Sequence, residues 1–368
     1  MRISTAVTLF TLPLLIACSG DAQESSGATQ ADAGSDAIAQ DSAVPDAPAN
    51  DAEPGSDADP GLDAADAEPS EDAAPDAAAP PVEQPLFAEV ASYATTLTAS
   101  GDPADVYYPN PADLATGDYA FPIAALLQGA KVDKQYYAKY AGIVASYGFV
   151  VVVPNHESMS ITGTGLYMQP SVVNDVLGHM KLEQQGHPAL AGKLDVDTLV
   201  LLGHSYGGVV AVQALQGVCQ FPFCTGGFDR PSELKAGALF ATNMKPPFGA
   251  IPETDNTGWA LGLVQGDQDG KAKLPDTVET YEKVTSPPKA LVTLAGVNHY
   301  GMCDMNNPPG ADADTAATTI DQAVAVETAA RWSALFLRAH ALGDQAAATY
   351  VHQTGDAADP VVTVMSEQ

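Results

Sequence analysis

Residues 197–217 read DTLVLLGHSYGGVVAVQALQG: an unbroken apolar run, a glycine, a serine framed by a second glycine, and a helix-forming stretch. A strand exposed on one face alternates apolar and polar residues. A run with no alternation fits a strand covered on both faces, as in a parallel sheet flanked by helices. The break at Gly203 is followed at once by apolar residues with helical spacing, so the chain must turn sharply and come back over the sheet.

The same signature recurs. FPIAALLQGA (121–130), FVVVVPN (149–155), AGALFATN (236–243), WALGLVQG (259–266) and KALVTLAG (289–296) are further buried-strand candidates. EVASYATTLT and ADVYYPN resemble two strands joined by a turn at Gly101-Asp102-Pro103. Between them, 133–148 reads as a helix capped by Asp133 and stopped by Gly148, with Tyr137, Tyr140, Ala141 and Val144 on one face. Residues 171–185 and about 320–342 add two more helices. Buried strands alternating with helices predict an α/β class with a mostly parallel central sheet. Its functional site belongs at the carboxyl ends of the strands, where Gly129, Pro154, Gly203, Gly266 and Gly296 fall.

Placed between such a strand and a helix, G-x-S-x-G (203–207) has the context of a nucleophile elbow, which puts Ser205 forward as a nucleophile. A side chain at Gly203 or Gly207 would collide with the neighbouring strand or helix. A serine nucleophile needs a base, and the base an orienting acid, in the chain order Ser, acid, His. Downstream histidines are His299, His340 and His352. His299 follows a buried strand, whereas His340 lies inside the terminal helix and His352 in the tail, where surface or packing roles suit them. LVQGDQDG offers two acids: Asp269 is preferred for its Gly266-x-x-Asp269 arrangement, with Asp267 as the alternative. Backbone N–H groups of Tyr206 and Ala130 are the candidate oxyanion donors. Residues 155–170, with Met159, Leu166, Tyr167 and Met168, either line the pocket or merely connect, and His156 reads as a loop hydrogen-bonder.

Composition divides the chain. Residues 19–85 hold 17 Asp/Glu and nine prolines with no Lys, Arg or aromatic residue, which predicts a disordered acidic tether. Residues 86–368 carry a further −15 of the total −31. Both parts are acidic, which argues against nucleic acid or an anionic membrane surface as partner. The expected organisation is a signal peptide at 1–17, a tether from Cys18 through 85, one domain over 86–350 and a tail at 351–368. Neither a cofactor nor a metal is expected, and the domain is expected to be a monomer. Cys219 and Cys224, five apart, are the favoured disulfide; a bridge from Cys303 to one of them is the alternative.

Two resemblances sharpen this reading. A basic start at Arg2 and a short apolar stretch to Ile16 precede Leu15-Ile16-Ala17-Cys18, which resembles the lipobox of bacterial lipoproteins. That resemblance implies cleavage before Cys18, lipidation of its thiol, and, with Ser19 following, the outer membrane of a bacterial envelope. GHSYGG, GDQD and NH, after VASYGFVVVVPNH, resemble the α/β-hydrolase superfamily over about 86–342. The branch is that of chlorophyllase-like esterases, platelet-activating-factor acetylhydrolases, dienelactone-hydrolase-like proteins and polyester hydrolases. It implies an α/β-hydrolase fold and a serine carboxylesterase acting on a small-molecule, lipid or polyester ester. Gln128, where histidine is frequent in the superfamily, and Tyr206 depart from the pattern; Gln128 either orients the loop or is an ordinary polar residue. The same triad also serves peptidases, thioesterases and acyltransferases, and a hydrolase fold can serve binding alone.

Overall fold

The computed structural model describes residues 81–160 and 163–368. The expected signal peptide, Cys18 and nearly all of the acidic tether lie outside the described residues. Nine strands form one sheet in the order β1-β2-β4-β3-β7-β8-β9-β10-β11. They are β1 (Val90–Thr96), β2 (Pro103–Pro109), β4 (Val150–Pro154), β3 (Phe121–Leu127), β7 (Leu194–His204), β8 (Leu234–Phe240), β9 (Ala260–Gly266), β10 (Lys289–Leu294) and β11 (Val362–Glu367). β2 is antiparallel to β1 and β4, and β11 is antiparallel to β10; the strands from β4 through β10 are mutually parallel. A hairpin, β5 (Glu157–Ser160) and β6 (Gly163–Leu166), stands apart after β4.

Two-sided burial explains why the central strands carry no polar alternation. In β3, Ala124 and Leu126 join the core beneath α1 (Ala138–Ser146) and α5 (Gln322–Ala341), while Ile123, Ala125 and Leu127 face the other way. That second core is closed by α2 (Ser171–Gly186), α3 (Tyr206–Gln216) and α4 (Leu274–Lys283). Each large aliphatic side chain buried here contributes roughly 1.5–3 kcal/mol. The face of Tyr137, Tyr140, Ala141 and Val144 is buried as its spacing requires, although Lys134–Tyr137 is a 3-10 turn and the α-helix begins only at Ala138.

Three regions differ from the sequence reading. Residues 155–170, expected to line the pocket or merely connect, include the paired strands β5 and β6. Helix α4, polar overall and with a proline in its first turn, is not among the helices expected from the sequence. Residues 351–368, expected as a tail, end in β11, whose entire length pairs with β10. The physical reason is a non-local anchor. Arg331 of α5 reaches Asp359 at 2.9 Å and the Tyr350 hydroxyl at 3.0 Å, and the Trp332 indole donates to the same Asp359 carboxylate. At the other boundary, the Glu83 carbonyl already accepts a 3.0 Å bond from the Tyr147 hydroxyl, inside the stretch that composition assigns to the tether.

Candidate active site

Because β3, β7, β9 and β10 are parallel, their carboxyl ends share one edge of the sheet, and the loops leaving them meet there. Ser205 sits at the end of β7 with φ +51° and ψ −117°, a backbone conformation that L-residues rarely adopt. The surroundings impose it. A Cβ on Gly203 would lie 2.8 Å from Cα of Gly208, and one on Gly207 would overlap the Leu127 carbonyl. Both glycines are needed to bring α3 this close to the sheet. The amino terminus of α3 begins at Tyr206, so its dipole favours negative charge beside Ser205.

Ser205 Oγ is 2.9 Å from Nε2 of His299, and Nδ1 of His299 is 2.9 and 3.1 Å from the two carboxylate oxygens of Asp269. The sequence left two acids open, and the geometry separates them. Asp269 is buried, with Oδ1 accepting from the N–H groups of Lys271 (2.8 Å) and Ala272 (2.7 Å) and Oδ2 from the Gln265 amide (3.0 Å). These donors fix the position of the carboxylate against the His299 ring. Asp267 is exposed and caps the next loop, accepting a 2.7 Å bond from Gly296 N–H.

A third acid was not legible in the sequence. Asp314 is buried, and its Oδ2 accepts from the N–H of His299 and of Gly270, both at 3.1 Å. One carboxylate therefore ties the loop bearing His299 to the loop bearing Asp269. It lies in GADADTAATT, whose composition matches the acidic tether, so no local signal marks it.

His204, next to Ser205, is fully buried, and its pKa is pushed down to about 3 by burial and by the neighbouring His299. Its Nε2 donates to the His299 carbonyl (2.9 Å), and its Nδ1 is 2.9 Å from the Tyr137 hydroxyl. Among the described residues, the backbone N–H groups of Tyr206 and Ala130 have no hydrogen-bond acceptor. Both residues line a cleft of about 320 Å³ together with Ser205, His299, Val209 and Lys271. Lys131, directly after Ala130, has φ +62° and donates its N–H to Leu166 O of the hairpin (2.8 Å), so β6 fastens the loop that carries Ala130.

Tyr206, which lines this cleft, is backed by other aromatic rings. Tyr206 packs edge-on against Tyr167 of the hairpin segment (centroids 5.3 Å apart) and tilts against Phe223 (4.9 Å). Its hydroxyl pKa is pushed up to about 12 by burial and by Tyr167. Phe223 lies inside the small loop closed by the Cys219–Cys224 disulfide; Cys303 is a buried free thiol. Gln128 is buried and donates to Asn155 at 3.3 Å, while His156 pairs with Asp102 at 2.8 Å. His340 and His352 bond to each other, near the Pro288 end of β10. Among the described residues no cluster of three or more His, Cys, Asp or Glu is placed to hold a metal ion, and no helix is long and apolar enough to cross a membrane.

Strand order, elbow and loop placement together define an α/β-hydrolase fold. A family model described as Chlorophyllase, an α/β-hydrolase-type family, matches residues 94–223, from β1 through the loop after α3. The match points to an ester hydrolase of the α/β type. No curated protein matches the chain significantly.

Proposed function

We propose that the protein is a serine carboxylic-ester hydrolase in which Ser205, His299 and Asp269 act as nucleophile, base and orienting acid. The observation that carries this reading is the unbroken hydrogen-bonded chain from the buried Asp269 carboxylate through His299 to Ser205 Oγ at the mouth of a cleft. His299 Nε2 takes the hydroxyl proton as Oγ attacks the ester carbonyl, and the N–H groups of Tyr206 and Ala130 bind the oxyanion of the tetrahedral intermediate. His299 then gives that proton to the departing alkoxide, which leaves as the alcohol with Ser205 acylated. A water molecule, deprotonated by His299, attacks the acyl-enzyme, releases the acid and restores the serine.

Tyr206 and Val209 in the cleft lining, with Tyr167 and Phe223 packed behind the Tyr206 ring, support an apolar acyl or alcohol group as the favoured substrate part. We place the chain in the chlorophyllase, acetylhydrolase and polyester-hydrolase branch, exported as a lipoprotein anchored through Cys18 and working at the bacterial cell envelope. Hydrolysis of p-nitrophenyl butyrate by the wild type and by Ser205→Ala tests the catalytic reading. Turnover on the order of a million-fold lower in the variant supports it, and equal turnover in the two proteins sinks it. Export is tested separately: Cys18→Ser shifts the protein from the membrane to the soluble fraction if the lipid anchor is real.

A further inference from the structure

The residues that move protons are tied to the residues that bind the oxyanion by a buried chain of side chains. Its direction follows from what each atom can do. The His299 carbonyl only accepts, so His204 Nε2 carries the proton and donates to it at 2.9 Å. His204 Nδ1 is then the bare nitrogen, and it accepts from the Tyr137 hydroxyl at 2.9 Å. With its one proton committed, the Tyr137 oxygen accepts from the Gly129 N–H at 2.9 Å. Every group in the run is buried, so an interruption leaves a polar atom without water to replace its partner.

We infer that Tyr137 and His204 are positioning residues that set the Gly129–Ala130 loop against Ser205 and His299. The run begins at the residue before the oxyanion donor Ala130, passes through the residue before the nucleophile, and ends on the backbone of the base. It thus fixes three separately coded loops relative to one another. The packing leaves no slack between them, since a Cβ on Gly129 would lie 2.6 Å from His204 Nδ1 and the loop therefore rests directly on the ring. Burial holds the Tyr137 hydroxyl far above its ordinary pKa and keeps His204 neutral, and the adjacent Cys303 thiol, also buried, stays protonated. The donor–acceptor pattern is therefore the same throughout the working pH range. The inference rests on the esterase reading above.

Full-length Tyr137→Phe keeps the ring and loses only the hydroxyl. The expected result is kcat for p-nitrophenyl butyrate roughly 10- to 100-fold lower, less than removal of an oxyanion donor itself, with KM unchanged within about twofold. Inhibition by a butyl boronic acid, whose tetrahedral adduct on Ser205 uses the same donors, should weaken in parallel. Two His204 variants divide the run. His204→Asn keeps an acceptor for Tyr137 and loses the bond to His299, whereas His204→Gln keeps a donor for the His299 carbonyl and loses Tyr137. His204→Gln should therefore reproduce the Tyr137→Phe loss, and it serves as the test if Tyr137→Phe does not fold. Wild-type kcat and boronate inhibition in either variant, even with a lowered Tm, overturn the relay alone. A wild type as inert as Ser205→Ala overturns the esterase reading and the relay with it.

Discussion

Two pairs of histidines in this domain hold their rings side by side, and one member of each lines a cleft of comparable size. At the carboxyl ends of the strands, His204 and His299 lie tilted against each other, centroids 5.0 Å apart, and His299 lines a cleft of about 320 Å³. At the opposite edge, His340 and His352 are also 5.0 Å apart, and His340 lines a cleft of about 340 Å³ with Trp259 and Pro288. Ring proximity and cavity volume do not tell the two regions apart. Orientation does. In the first pair every ring nitrogen has a designated partner, and the run from Asp269 stops on a serine oxygen open to the cleft. In the second pair the two Nε2 atoms face each other, no carboxylate orients either ring, and the buried Nδ1 of His352 has no partner among the described residues. Proton transfer needs a ring held in one tautomer and aimed at a reacting atom, and only the first pair has that.

The comparison breaks most dramatically at the base. His299→Ala should lower kcat by on the order of a million-fold, while His340→Leu should leave kcat within about twofold of wild type; equal losses in steady-state assays would show that orientation is not what separates the pairs. Next comes the acid. Asp269→Asn keeps the shape but favours the wrong tautomer of His299, so kcat should fall by about 10⁴-fold. Asp267→Asn should change it by less than about threefold, because that side chain caps a loop and does not touch His299. A loss confined to the Asp267 variant would overturn the assignment. Asp314→Asn comes third: one amide oxygen replaces the charged acceptor shared by His299 and Gly270, and kcat should fall about tenfold with a lower Tm, as charge-assisted bonds are the stronger ones.

The smallest effect belongs to the rear pair and is read as stability against pH. Burial, then the nearby His352, pushes the His340 pKa down to about 4 from an ordinary 6.5. The unfolded chain binds the proton more readily than the folded one, so stability is full above about pH 6.5 and falls as pH drops toward 4. His340→Leu should make the decline of Tm in that window shallower, leaving the part due to His204, whose pKa of about 3 extends its contribution below pH 4. An unchanged acid limb in thermal scans would show that His340 is not the group responsible.

How much of this could be read from residues alone follows the range of the interactions. The buried strands are legible because two-sided burial removes every polar residue from a run such as Val150–Val153, and the elbow is legible because its glycine requirement is local. Asp133 capping the turn at Lys134–Tyr137, and His299 just past β10, follow from the same local reasoning. Helix α4 was not legible, since its apolar residues are few, and neither was β11, whose register depends on Arg331 and Asp359, 28 residues apart. Asp314 is the sharpest case. The tether and the 310–319 segment share the same acidic, alanine-rich composition, yet in the latter one carboxylate becomes a buried hinge because two N–H groups face it.

By itself the sequence determined the glycine-framed turn at Ser205 past the end of a buried strand, the class of fold around it, and which aspartates and which histidine fall at the neighbouring strand ends. These rest on steric exclusion at glycines and on apolar periodicity, both properties of neighbouring residues. Tertiary structure alone decided that Asp269 and not Asp267 meets His299, that Asp314 joins their loops, and that Tyr137 reaches across to His204. Those outcomes depend on where parallel strands end relative to one another, and that offset exists only once the sheet is in register.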